Sequence, residues 1–208
     1  MVPLLFLLSF KKNEFLRLIL KYLLIFNIIT FNSILFFQDS FNYSVHLPLH
    51  LCYFTEICLL ISFVLKIKRL YPWLILNGMF GGIVGFVTTN LTSTSMLIEY
   101  VHFYLSHFNL LLFTVICYKS NIMISIADFF KSIYLNSLII ILIVMFNIKF
   151  KTNYWFTELK PGGVNLSALF PDWPYYFFIL IALGLVSYML TFFIFSYRDR
   201  QRGQFNTI

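Results

Sequence analysis

Apolar runs of about 17 to 23 residues alternate with short polar breaks along the chain, each run about the length of a helix that crosses a bilayer core. Six are predicted, at residues 15–37, 47–65, 71–89, 99–118, 132–148 and 174–196. The ten-residue alternation of an outer-membrane barrel is absent, so the expected fold is all-α. It is a polytopic bundle of six transmembrane helices, one integral membrane domain over residues 1–208. Residues 2–10 are apolar but too short to span. The basic Lys11-Lys12 follows them instead of preceding them as in a signal peptide, and they are expected to lie at the interface.

The breaks set the orientation. Twelve of the fifteen Lys and Arg residues fall at the amino end, after runs two and four, and in the carboxyl tail. The opposite side holds Lys149, Lys151 and Lys160. Both termini are therefore predicted cytoplasmic. Arg17 and Lys21 are placed to snorkel back to the headgroups from the first run. The stretch His46-Leu-Pro-Leu-His-Leu-Cys52, the turn Asn90–Ser95 and the long connection Lys149–Trp173 then share the outer side, where Trp155, Trp173, Tyr175 and Tyr176 form an aromatic belt.

Within the runs, Gly78-x-x-x-Gly82 with Gly85 makes a small-residue stripe suited to close helix packing. Pro48 suits the first turn of the second helix, where a missing N–H is no loss. The connection after run five is too long for a hairpin, and Val164–Phe170 is predicted to form a short interfacial helix. That segment is placed to cover the outer mouth as a lid.

Composition narrows the class. With 60% hydrophobic and 11% charged residues, the chain has too little polar surface to coat a soluble globule. A net charge of +7 would point to nucleic acid in a soluble protein, but here it reports topology, and no nucleic-acid partner is expected. Cys52, Cys58 and Cys117 lie inside apolar runs and imply no disulfide framework. Codon-driven enrichment in Phe, Ile, Leu, Asn and Lys fits a low-GC bacterium, so the expected location is a bacterial cell membrane, multi-pass.

Ionisable groups at lipid depth are expensive and mark function or a specific partner. His50, about one turn inside run two, and His107, about two turns inside run four, fall at similar depth and are expected to face each other. They are the candidate catalytic pair, a general base and proton shuttle, with polar groups of the long loop stabilising an oxyanion. On run four, Tyr100, Tyr104 and His107 share one helical face and His102, Ser106 and Asn109 another, so one histidine of the two is expected to look into the site. Cys52 lies about 200° around the helix from His50 and pairs instead with Glu56. Glu56 is expected to bond Ser62, Asn77 or a thiol. Cys52, Glu56, Tyr104 and Asn153 are the candidate substrate-contacting residues. His46-x-x-x-His50 has helical ligand spacing, and Glu99 or His107 would complete a zinc triad. Metal-free catalysis is preferred, and with no phosphate loop present neither metal nor other cofactor is expected.

His46-Leu-Pro-Leu-His50-Leu-Cys52, Ser106-His107, Asn153-Tyr154 followed by Lys160-Pro161, and Pro171-Asp-Trp-Pro-Tyr-Tyr176 together resemble the YwaF family of bacterial integral membrane proteins over about residues 46–188. That family is in turn similar to a eukaryotic transmembrane acyltransferase family implicated in making polyunsaturated ether phospholipids. The resemblance implies paired histidines at His50 and His107, one of them catalytic. The eukaryotic motif carries a cysteine directly before the first histidine, where this chain has Leu49.

The expected function is acyl transfer on a lipid or lipoprotein at the outer leaflet, with membrane lipids as partners. The rival readings are a proton-coupled carrier and a non-catalytic membrane subunit. Against the carrier, no inverted repeat is visible, and the inner half is expected to hold few polar residues beyond Glu56 and Asn77.

Overall fold

Leu16, Leu20, Leu24, Asn27, Phe31 and Leu35 fall three or four positions apart, the spacing that draws one stripe along a helix. In the computed structural model, which describes residues 13–162 and 166–205, this stripe is the buried face of α1 (Asn13–Phe37). Phe15, Leu18, Tyr22, Phe26 and Ile29 are exposed on its other side. The described residues form α1, α2 (Leu51–Val64), α3 (Tyr71–Val87), α4 (Leu97–Lys119), α5 (Ile126–Phe150), α6 (Tyr175–Phe205) and three 3-10 turns, with no strand. Five of the six helices are long and apolar enough to cross a membrane. The 14-residue α2 is shorter.

Glycine decides the tightest packing. A Cβ at Gly78 would stand 3.2 Å from Thr114 Oγ1 and 3.3 Å from the Leu110 carbonyl oxygen. At Gly82 it would meet Leu111 Cγ at 2.6 Å and the His107 carbonyl oxygen at 3.0 Å. The stripe on α3 is thus a packing face, as its spacing predicts, and its partner is α4. α3 also packs on α2, α5 and α6, and α4 packs on α1 and α2. α5 and α6 sit at the periphery, with Tyr134, Leu138 and Ile141 of α5 and Phe178, Leu183 and Phe193 of α6 exposed. Such continuous apolar cover needs lipid around it.

A closed polar network ties the two peripheral helices to α3. Asn136 Oδ1 accepts from Trp73 Nε1 at 2.8 Å, and Asn136 Nδ2 donates to Asn77 Oδ1 at 3.0 Å and to the Tyr188 hydroxyl at 2.6 Å. The Tyr188 hydroxyl donates onward to Asn77 Oδ1 at 2.8 Å. The expectation of an inner half with little polarity beyond Glu56 and Asn77 is corrected here. Trp73, Asn136 and Tyr188 are polar partners whose side chains converge only in the folded bundle.

Most helix ends fall within two residues of those predicted. Three ends differ by more: α2 begins at Leu51 against 47, α6 runs on to Phe205 against 196, and α5 begins at Ile126, well before residue 132. Ser125 Oγ accepts the Asp128 N–H at 3.1 Å while Asp128 Oδ2 accepts the Ser125 N–H at 3.2 Å. This reciprocal cap starts the helix early and leaves Lys131 exposed in its second turn. Of the predicted interfacial helix at 164–170, a 3-10 turn at Leu166–Leu169 is seen, residues 163–165 lying outside the described residues. The interfacial segment at 2–10 also lies outside them.

Asn136→Leu should strand the Trp73 indole N–H and one lone pair of Asn77 in the bundle. It should lower stability by about 1–3 kcal/mol, the penalty for a buried group left unpaired. Thermal unfolding of purified protein in detergent, against an exposed-face change such as Leu138→Ala, measures it.

Candidate functional site

Around the motif at 46–52 the chain is not a regular helix. Val45 and His46 N–H groups both donate to the Asn42 carbonyl, at 3.1 and 2.8 Å, and the Leu49 N–H donates to the Leu47 carbonyl at 2.7 Å. His50 is the N-cap of α2, with extended φ −65° and ψ 140°. Three expectations are thereby corrected: α2 starts at Leu51 and not at 47, Pro48 precedes the helix, and His46 and His50 do not share a helical face. The physical reason lies in the connection between α5 and α6. Its Tyr154 hydroxyl accepts the Leu47 N–H at 3.0 Å and donates to the Tyr43 carbonyl at 2.6 Å, and Trp155 Nε1 donates to the Leu49 carbonyl at 2.6 Å. With its polar groups met by protein, a non-helical stretch is tolerated at this depth.

The connection is itself tightly held. Asn147 binds Tyr154 through both backbone groups, donating to its carbonyl at 2.8 Å and accepting its N–H at 3.0 Å. The Tyr176 hydroxyl donates to the Phe156 carbonyl at 2.5 Å, and Trp173 Nε1 to the Thr157 carbonyl at 3.2 Å. Lys160 Nζ lies 2.9 Å from Asp172 Oδ1 and holds that carboxyl below the usual range, joining the two outer halves of the connection. The Tyr154 and Phe156 rings rest on the His50 ring at centroid distances of 4.8 and 5.2 Å. The cover over His50 is therefore the turn at Tyr154–Phe156. Asn153 staples its own loop, accepting from the Glu158 and Leu159 N–H groups and donating to the Leu159 carbonyl.

The four histidines have distinct surroundings. His46 Nδ1 accepts the Asn42 N–H at 2.9 Å, so its proton sits on Nε2, which donates to Glu99 Oε1 at 3.2 Å. Both nitrogens are engaged. His102 stacks on Phe31 at 3.8 Å with Tyr53 edge-on at 4.4 Å, its Nδ1 buried without a partner. His107 Nδ1 lies 2.6 Å from the Phe103 carbonyl oxygen, which can only accept. The ring proton is therefore on Nδ1, and Nε2 keeps its lone pair with no partner among the described residues. His50 likewise has no hydrogen-bond partner for either nitrogen among them.

His102 and His107 are both buried, His102 between Phe31 and Tyr53 and His107 against α3. α4 is flanked by α1, α2 and α3, so little of its circumference stays outside. No hydrogen bond or ring contact joins His50 to His107. Instead His107 presses its imidazole against Gly85, where any Cβ would overlap the ring, and Cys52 Sγ lies 3.7 Å from the Cβ position of Gly81. Gly81 and Gly85 are one turn apart, about 6 Å along α3. The thiol and the His107 ring thus abut neighbouring turns of one helix, while His50 turns to the α5–α6 connection. Tyr104 is half-exposed between Phe86 and Phe103. Among the described residues no three His, Cys, Asp or Glu side chains are grouped to hold a metal ion.

Glu56 is fully buried and meets none of the partners expected for it. Asn27 Nδ2 donates to both carboxyl oxygens, at 3.0 and 3.1 Å, Asn109 Nδ2 donates at 2.7 Å, and the Ser106 hydroxyl binds the second oxygen. Ser62, Asn77 and the thiols are not involved. Asn27 was missed because it sits on α1, 29 residues away. Its visible signal was one amide in the middle of an apolar run.

The helices, their lipid-facing surface and this buried polar centre define a multi-pass membrane protein. The chain belongs to the TMEM164 family, whose model matches residues 1–192. Comparison with individual curated proteins finds no match, and neither does comparison with solved structures.

Gly85→Ala should destabilise by about 1–3 kcal/mol, the usual range for overpacking. The loss should shrink in the Gly85→Ala/His107→Ala double variant, where the ring is gone, and a double-mutant thermal cycle reads the coupling. Burial pushes the Tyr154 phenol up to about 12 against an ordinary 10, partly offset by the Leu47 N–H. Between those values an unfolded phenol ionises and the folded one does not, so its contribution to stability falls as pH rises from about 10 through 12. Alkaline unfolding should be less steep over that window for Tyr154→Phe.

Proposed function

We propose that this TMEM164-family protein is a six-span enzyme of the bacterial cell membrane, both termini cytoplasmic, that transfers an acyl group on a lipid or lipoprotein at the outer leaflet. The observation that carries this reading is His107: its Nδ1–H is committed to the Phe103 carbonyl, which leaves Nε2 as a lone pair beside the glycine face of α3. An imidazole in that tautomer can take a proton from an attacking hydroxyl or thiol and return it to the leaving group. His50, with both nitrogens unengaged under an aromatic cover, is the second proton-handling group. Cys52 abuts the same face of α3, and Tyr104 stands at its lipid edge, so both are candidates to contact substrate. Glu56 supports the site by joining α1, α2 and α4. The resemblance to the YwaF family supports this narrower kinship, and the charge distribution supports the orientation.

The carrier reading draws on one observation, a buried carboxyl at membrane depth whose partners are all neutral. The two readings separate in lipid chemistry. A deletion strain complemented with wild-type protein should differ in acyl-lipid profile from one complemented with His107→Ala or His50→Ala, with the altered species falling about a hundredfold, the low end for loss of a general base. Full lipid-modifying activity in both purified variants would overturn the enzyme reading, and an unchanged lipidome in all strains would favour the carrier.

A further inference from the structure

The Tyr154 hydroxyl occupies a particular place in the backbone it contacts. Its two partners, the Leu47 N–H and the Tyr43 carbonyl, are four residues apart, the pair that an α-helix would bond directly. One residue earlier that direct bond exists, from the His46 N–H to the Asn42 carbonyl at 2.8 Å. The phenol therefore enters the helical ladder and lengthens one rung into N–H to hydroxyl to carbonyl. Insertion of this kind opens a helix locally. Pro48 follows with no N–H to restart the ladder, and Trp155 Nε1 takes the Leu49 carbonyl, the last acceptor before the cap. His50 is left at an extended N-cap instead of within a continuous helix.

A second observation shows that the donor segment is held in place for this task. Trp155 and Phe156 both adopt positive φ, 58° and 53°, a region that bulky side chains rarely enter. The hydrogen bonds from Trp155 to Leu49 and from Tyr176 to Phe156 span this strained pair. Strain persists only where surrounding contacts over-determine it, and such places cluster at functional sites.

We infer that Tyr154 and Trp155 are positioning residues for His50: by intercepting the backbone of residues 43–49 they hold the imidazole at the mouth of α2 and beneath the aromatic turn. The inference rests on the reading of His50 as a site residue. Neither tyrosine nor tryptophan acts on substrate in this role. They determine where the imidazole stands.

The test reads placement without requiring any lipid reaction, so its failure is distinct from failure of acyl transfer. Purified full-length protein is treated with diethyl pyrocarbonate, and modification of each histidine is followed by mass spectrometry. In Tyr154→Phe, Leu47 and Tyr43 are free to bond directly. His50 should then be modified roughly three- to tenfold faster, the scale of one lost hydrogen bond. His46 and His107 should remain at their wild-type rates. Trp155→Phe should act in the same direction, which keeps the test intact if the first variant does not fold. 4-Aminophenylalanine at position 154, able to donate and accept, should restore the wild-type rate. Tyr188→Phe, in the network on the other side of α3, should lower the melting temperature and leave His50 unchanged. An unchanged His50 rate in both loop variants would overturn the inference, as would a joint rise of all histidines or an equal response to Tyr188→Phe.

Discussion

The close approach of α3 to α4 is the contact on which the rest of the bundle depends. Gly78, Gly82 and Gly85 remove side chains along one face, and α4 moves in until its own backbone oxygens at Leu110 and His107 lie within contact of where a Cβ would be. In lipid there is no hydrophobic gain from bringing two apolar helices together, so close packing and hydrogen bonding must supply the association. The approach draws α4 to the centre, where α1 and α2 cover its remaining sides. It also sets the environment of His107, whose ring fills the notch at Gly85.

Once α4 is central, its polar residues need partners from the neighbouring helices. Ser106 and Asn109 meet Glu56 of α2, and Asn27 of α1 completes the set. Asn77, Asn136, Tyr188 and Trp73 form the corresponding closure between α3 and the peripheral pair. Both networks follow one rule, that a polar group in hydrocarbon without a partner costs more than the bond it makes is worth. The set on α3, α5 and α6 closes on itself, whereas the Glu56 set satisfies the carboxyl and leaves Asn109 Oδ1 buried without a partner among the described residues. Between them the networks touch all six helices.

The mouth of α2 follows another constraint. A membrane helix satisfies its own backbone, but the turn at 43–50 does not, and α2 is correspondingly short. The polar groups it leaves are met by aromatic donors from a connection more than a hundred residues later in the chain. Irregular backbone, a histidine cap and an aromatic cover therefore arise together at one end of the bundle. The chemistry proposed for this protein needs such a place, because a continuous helix would present its side chains without a recess.

Much of this was legible from the amino-acid order alone, because lipid imposes length and polarity on any helix that lies in it. The number of helices, their limits to within a few residues in most cases, the α3 packing stripe and the interest of His50 and His107 all follow from local pattern. The early start of α5 was legible too, in Ser125-x-x-Asp128, but the pull of Lys131 as a boundary obscured it. What local pattern could not decide is which residues meet. Glu56 carries no mark of its three partners, since Asn27 and Asn109 come from other helices. The helical spacing of His46 and His50 pointed to a shared face that the inserted Tyr154 hydroxyl abolishes, and the His107 ring packs against Gly85 of α3 and Phe103 instead of meeting His50. Sequence determines which segments can live in a membrane because that depends on composition over twenty residues; the tertiary structure decides the site because a hydrogen bond depends on two atoms arriving within 3 Å from distant parts of the chain.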